Sequence, residues 1–285
     1  MSPTSTVHAP RALAAPQVDL LGLAIHGTTE AQVIERILTE GAEGRGGWVC
    51  TVNLDILRQT SRDDSIHRLV STADVVTPDG MPIIWASALA GTPLPARVAG
   101  STLLTTLPAH AARAGRSLFL LGGNPGTAEQ AAQVLTAANP GLDIAGTHCP
   151  PFGFEKNQAV KQAAIDAVVQ ADPDIVFVGL GFPKQERLIQ ELREFLPAAW
   201  FVSCGISFSF VSGEIARAPE WMQRIGMEWL HRMFQEPDRL VKRYLRDDLP
   251  FFAQLFAHIG FRRMREKPGR MLGSRKTGSA WLTRT

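Results

Sequence analysis

Cysteine is scarce in this 285-residue sequence: Cys50, Cys149 and Cys204 are widely separated, with no CxxC pair and no histidine at metal-ligand spacing. That argues against a zinc site and against a disulfide framework. Long hydrophobic runs are missing as well. The longest, at 174–182 and 200–211, are broken by Gly or Ser and fall short of the roughly 20 residues that span a bilayer. Residues 1–17 hold Ser, Thr, Pro and Ala with a single Arg11 and no continuous apolar stretch, so they do not read as a secretory signal. A disordered lead and a cytoplasmic protein are expected. The seven histidines are scattered and no Ser/His/Asp order surrounds a nucleophile elbow, which argues against a hydrolase of that kind.

What is present is the composition of a packed chain, with 45% hydrophobic and 20% charged residues, too apolar for a disordered one. This length makes one large or two small domains. The formal net charge of +2 conceals an asymmetry. Residues 1–216 carry 14 Lys+Arg against 20 Asp+Glu, a balance of −6, and residues 217–285 carry 15 against 7, a balance of +8. A basic C-terminal quarter on an acidic body points to a polyanion: anionic lipid, nucleic acid or a diphosphate ligand.

Between residues 18 and 211 short apolar runs alternate with helical patterns, which predicts an α/β fold, a Rossmann-like, mainly parallel sheet flanked by helices. Strands are expected at 48–53, 73–77, 117–121, 143–147, 174–179 and 200–204. The clearest helix is 157–170, where Val160, Ala163, Ala164, Ala167 and Val168 form one apolar stripe. After Gly213, Trp221, Ile225, Trp229 and Met233 recur every four residues, and Pro237 suits the first turn of a further helix. The expected organisation is a lead at 1–17, an α/β domain at 18–213, a C-terminal basic helical appendage at 214–266 and a disordered Gly-, Ser- and Arg-rich tail at 267–285.

In open parallel sheets ligands bind beyond the carboxyl ends of the strands, so the residues following each strand are the first candidates. Thr51-Val52-Asn53-Leu54-Asp55 offers a hydroxyl, an amide and a carboxylate, and equally fits a strand end with a helix N-cap. Thr77-Pro78-Asp79-Gly80 is a common turn sequence, and its Asp79 is also placed to act as a general base toward a substrate hydroxyl. The Gly-rich turn at 121–126 either presents backbone N–H groups to phosphate or simply permits a tight turn. No Walker lysine and no complete GxGxxG accompanies it. At 179–186, Gln185 and Glu186 open a helix and either bind a polar ligand or cap it. Asp172-Pro173-Asp174 spells a metal-binding DxD but precedes its strand, at the end of the sheet opposite the ligand crevice. The tail segments 213–221, 228–232 and 236–239 favour arginine, whose guanidinium binds phosphate bidentately. The plain alternative there is an amphipathic helix with a solvated basic face.

Taken together, TVN at 51–53, TPDG at 77–80, RVAGS at 97–101, LGG at 121–123, GFPKQE at 181–186 and the RAPEW, EWLHR and EPDR segments of the tail make the chain resemble the WecG/TagA/CpsF glycosyltransferases, glycosyltransferase family 26. The resemblance runs from about residue 20 to residue 249. Family members usually read Ala-Asp-Gly where this chain has Pro78-Asp79-Gly80, which leaves the aspartate in place. The resemblance implies an inverting, metal-independent, cofactor-free transfer of a hexose from a UDP-sugar to a polyprenyl-diphosphate-linked glycan, in bacterial surface or exopolysaccharide synthesis. It makes Asp79 the general base, sets Thr51, Asn53 and Gly80 at the substrate beside it, and puts Gln185 at the nucleotide-sugar site. Arg97, Arg217, Arg232 and Arg239 would face the diphosphate. The appendage would hold the protein peripherally on the inner face of the cytoplasmic membrane, drawn to the anionic membrane surface at roughly 1 kcal/mol per Lys or Arg. Trp221, Trp229 and Met233 could pack on the body, at lipid, or on a second subunit of a homo-oligomer.

Two rival readings lack their residues. A Rossmann-type nucleotide-dependent oxidoreductase or nucleotide-sugar epimerase would need GxGxxG after the first strand and an acidic ribose partner, and both are missing. A nucleic-acid-binding protein is opposed by the acidic body and the lack of a recognition motif, so no nucleic acid is expected as partner.

Overall fold

The computed structural model describes residues 15–219, 221–222, 227–235 and 237–266. Residues 1–14 and the tail expected at 267–285 lie outside the described residues. The chain enters through a hairpin that the periodicity did not disclose, β1 (Gln17–Leu20) against β2 (Leu23–His26). Its two turn residues, Leu21 and Gly22, take φ of 56° and 87°, as both central residues of a type I′ turn must. Leucine is not the usual Asn or Asp of such a turn, so the sequence carries no signal there. Strand β1 begins at Gln17, the last residue of the expected lead.

The main sheet confirms the α/β reading. Helices α1 (Glu30–Ala42), α2 (Leu54–Thr60), α3 (Asp64–Ser71), α4 (Met81–Ala90), α5 (Gly100–Arg113), α6 (Thr127–Ala138), α7 (Gln158–Ala171), α8 (Lys184–Phe195) and the short α9 (Ser207–Val211) surround six parallel strands. These are β3 (Gly47–Val52), β4 (Val75–Pro78), β5 (Leu118–Gly122), β6 (Ile144–His148), β7 (Ile175–Gly179) and β8 (Trp200–Ser203), in the spatial order β4-β3-β8-β7-β5-β6. Each lies within two residues of its expected position. Helix α7, capped by the Asn157 side chain, matches the apolar stripe expected at 157–170.

The strands read as near-continuous apolar runs because both faces are covered. On one face Cys50, Val52, Leu121, Val178 and Phe201 pack with Ile165 and Val168 of α7 and Leu188, Ile189 and Leu192 of α8. On the other, Val49, Leu120, Phe177 and Val202 pack with Ile37 of α1, Leu104 and Leu107 of α5, and Leu135 of α6. Each such buried aliphatic side chain contributes on the order of 1.5–3 kcal/mol. Strand β4 is a sheet edge, and the hairpin blunts it: the Val76 N–H donates to His26 Nδ1 at 2.9 Å. Burial holds the His26 imidazole below its ordinary pKa, so it remains the neutral acceptor this bond needs.

After residue 227 come α10 (Glu228–Gln235), α11 (Pro237–Lys242), a π-helical turn (Arg243–Asp248) and α12 (Leu249–Glu266). Pro237 opens α11, as its position predicts. Helix α12 lies on α4 and inserts Phe251, Leu255 and Ile259 into the core on the α8 side of the sheet. Ion pairs add to this docking: Arg243 Nε lies 3.3 Å from the buried Asp248 and 3.7 Å from Asp55 of α2, while Arg58 Nε lies 3.8 Å from Asp248. The basic segment therefore shares its core with the body.

Candidate active site at the carboxyl edge of the sheet

Six parallel strands end on one edge, and the chain leaves β3 toward one side of the sheet and β5 toward the other. That reversal marks where a doubly wound sheet binds ligands. The opposite edge is structural. There Asp174, the second carboxylate of the DxD spelling, accepts from the Ser117 N–H at 2.9 Å and from Arg116 Nη1 at 2.7 Å. Partial burial pushes Asp174 up, but these bonds outweigh it and hold the carboxyl below its usual range. Among the described residues no group of three His, Cys, Asp or Glu side chains could hold a metal ion.

Asp79 follows β4 directly, and its N–H donates to Val52 O at 2.8 Å, tying the ends of β3 and β4 together. Gly80, with φ of 122°, occupies a conformation closed to most side chains and turns the chain into α4. Asp79 is thus fixed between a strand end and a helix N-terminus. Arg97 is delivered by a loop bound to β4 twice: the Val98 N–H donates to Pro78 O at 2.9 Å, and Thr77 Oγ1 donates to Val98 O at 2.9 Å. Its Nη1 lies 4.0 Å from Asp79 Oδ1 and 3.4 Å from Glu228 Oε2 of α10. Glu228 Oε1 in turn lies 3.8 Å from Arg217 Nε, and Arg217 Nη2 donates to Ser101 Oγ at 3.2 Å on the first turn of α5. Asp79, Arg97, Glu228 and Arg217 form a row of alternating charge, each only partly exposed. A surface depression of 260 Å³ lined by Val134, Leu135, Phe210 and Val211 opens beside Arg217.

The other expected residues are placed as follows. Thr51 is buried at the end of β3 and donates its hydroxyl proton to Ser203 O at 3.1 Å. Asn53 caps α2, accepting the Ile56 N–H on Oδ1 at 3.0 Å. Gln185 is buried under the turn after β7, where Oε1 accepts the N–H groups of Gly181 at 3.1 Å and Leu180 at 3.3 Å. Its Nε2 donates to Glu186 at 2.8 Å. The two Gly-rich turns adjoin: the Gly123 N–H donates to Gly179 O at 2.8 Å, and a Cβ on Gly122, whose φ is 111°, would stand 2.5 Å from the same carbonyl. Close packing thus accounts for glycine at 122 without a dinucleotide. The side chains of Arg232 and Arg239 lie outside the described residues.

Three residues escaped the sequence reading. Glu228 sits inside the quoted EWLHR segment, but nothing local links it to an arginine 131 positions earlier. Ser203 looks like any strand residue. Phe152, 98% exposed just after β6, has Lys184 Nζ 4.8 Å from its ring at the start of α8, and only an aromatic in a Pro-Gly loop hints at it.

Fold and site together define an α/β enzyme with a carboxylate and guanidinium groups assembled beyond the carboxyl ends of a parallel sheet. Residues 18–265 match the Glycosyl transferase WecG/TagA/CpsF family, and the chain belongs to it. It is 32% identical over 197 residues to the N-acetylglucosaminyldiphosphoundecaprenol N-acetyl-beta-D-mannosaminyltransferase of Bacillus spizizenii, covering 69% of this chain and 74% of that protein. The protein of the same name from Bacillus subtilis is 30% identical over 194 residues, covering 68% and 73%. The chain is accordingly a glycosyltransferase, and the oxidoreductase or epimerase alternative falls away.

Proposed function

We propose that the chain transfers a sugar from a UDP-sugar to a hydroxyl of a polyprenyl-diphosphate-linked glycan in a single inverting displacement. The juxtaposition of Asp79 with Arg97 carries this reading. The acceptor hydroxyl attacks the anomeric carbon, the bond from that carbon to the UDP oxygen breaks, and Asp79 takes the hydroxyl proton. Negative charge grows on the departing diphosphate, and Arg97 and Arg217 are the groups that would offset it, with Arg232 and Arg239 joining them from the tail. Guanidinium groups can do this without a metal ion. Asn53, Gly80 and Thr51 position the sugar next to Asp79. Gln185 acts on the nucleotide-sugar side through the turn it holds, and the exposed Phe152 ring offers a face on which a nucleobase stacks. N-Acetylmannosamine as donor sugar and N-acetylglucosaminyl diphosphate lipid as acceptor are the first substrates to try, from the names of the relatives.

In the same reading, residues 18–213 form the catalytic domain and 214–266 the membrane-proximal part. No helix among the described residues is long and apolar enough to cross a membrane. The exposed Leu245, Leu249, Phe261 and Met264, interspersed with exposed Lys242, Arg246 and Arg265, suit peripheral binding to an anionic leaflet, here the inner face of the cytoplasmic membrane. The test is UDP release from a panel of UDP-sugars with and without a short-chain polyprenyl-diphosphate-linked N-acetylglucosamine. Acceptor-dependent release from one donor, reduced about a hundredfold or more in Asp79→Asn with the fold retained, is expected. Undiminished turnover in that variant would remove Asp79 from the mechanism.

A further inference from the structure

Beneath the carboxyl edge lies a buried polar cluster whose carboxyl group, Glu186, has no part in the transfer step described above. Because two backbone N–H groups donate to Gln185 Oε1, its Nε2 is obliged to face Glu186, whose Oε1 accepts at 2.8 Å. Glu186 is fully buried, and its Oε2 makes no hydrogen bond among the described residues. Among the described residues, the groups acting on it are the Gln185 amide on α8, the Ser203 hydroxyl on β8 and the Cys50 thiol on β3. None of these supplies a positive charge. Ser203 Oγ accepts the Trp48 Nε1–H at 3.1 Å, and Ser203 O accepts from Thr51. Hydrogen bonds therefore run from the Gly181 turn through Gln185 to Glu186, and Ser203, which faces Glu186, is bonded in turn to Trp48 and to Thr51 at the Asp79 end of the site.

We propose that Glu186, as a neutral carboxylic acid, is the positioning residue for the nucleotide-sugar half of the site, acting through Gln185 on the turn at Leu180 and Gly181. This rests on the glycosyl-transfer reading above. An ionised carboxyl would place an unpaired negative charge under the turn that a diphosphate donor approaches, whereas the acid keeps the Gln185 clamp and adds no charge. Burial pushes the Glu186 carboxyl up to about 7, against weaker downward pulls from Gln185 and Ser203. Donor use should therefore decline as pH rises through that range.

Steady-state transfer by the full chain from UDP-N-acetylmannosamine to the short-chain lipid acceptor tests this, with each substrate varied in turn for wild type, Glu186→Ala and Glu186→Gln. We expect Glu186→Ala to raise the donor KM about tenfold and leave the acceptor KM within about twofold. Glu186→Gln should restore donor kcat/KM to within about threefold of wild type at about pH 6 and abolish its fall toward about pH 8. Loss of kcat with both KM values unchanged, or a pH profile shared by wild type and Glu186→Gln, would overturn the proposal. Absence of transfer in the wild type would instead exclude this donor and acceptor pair. The affinity of each variant for UDP alone would then decide the proposal, with equal affinities refuting it.

Discussion

Replacing Glu186 by glutamine should make folding stability respond to pH differently, by an amount set by its burial. The folded carboxyl titrates at about 7, against an ordinary 4.5. Between those values the folded state binds the proton that the unfolded chain has lost, so wild-type stability falls as pH rises through the interval and levels off above it. Integrating from about pH 5 to about pH 8 gives a loss of about 2–3 kcal/mol for this one group, at roughly 1.4 kcal/mol per pKa unit. Glutamine keeps an oxygen for the Gln185 amide and cannot ionise, so it escapes the loss. The difference in unfolding free energy between Glu186→Gln and wild type should then move in favour of the variant by that amount over the same interval. Other titrating groups cancel in the difference. Urea unfolding followed by tryptophan fluorescence reads it directly, since Trp48 and Trp200 are fully buried. Thermal scans should show the same swing as a relative gain on the order of 3–5 °C. A difference that stays constant with pH would mean that Glu186 remains ionised, and the neutral-acid argument would fail.

Two further substitutions probe the framework. Gly122→Ala forces a side chain into a left-handed backbone and against Gly179 O, which should cost about 3 kcal/mol or more in chemical denaturation; wild-type stability would show that the two Gly-rich turns do not pack as described. Leu255→Ala on α12 empties a site that is 1% exposed and should cost about 2–5 kcal/mol. An unfolding midpoint unchanged by that replacement would detach α12 from the core.

Much of the fold was legible because its signals are local. Six strands could be placed because each is an apolar run broken by turn residues, and α7 because its stripe has helical period. Hairpin β1–β2 was not, since its strands are four residues long and its turn carries leucine. The tail shows the same limit: its basic charge is visible in the sequence, but Phe251, Leu255 and Ile259 belong to the core only because α4 offers them a surface. Asp79, Asn53 and Gln185 were legible as residues following strands. That Asn53 caps α2, and that Gln185 holds its own turn from below, depend on hydrogen bonds visible only in three dimensions.

By itself the sequence determined the alternation of strands and helices, hence a parallel sheet with its chemistry at the carboxyl edge, and it singled out Asp79 and the arginines by residue type. Tertiary structure alone decided which charges meet. Arg97, Glu228 and Arg217 converge because a loop bonded to β4 and a helix from the tail end at the same edge. The burial of Glu186 is likewise a property of two strands, β3 and β8, and helix α8 closing around it. Chain separation hides such pairings from a linear reading, since local sequence encodes backbone preference and polarity, while distance and desolvation arise only when remote segments pack.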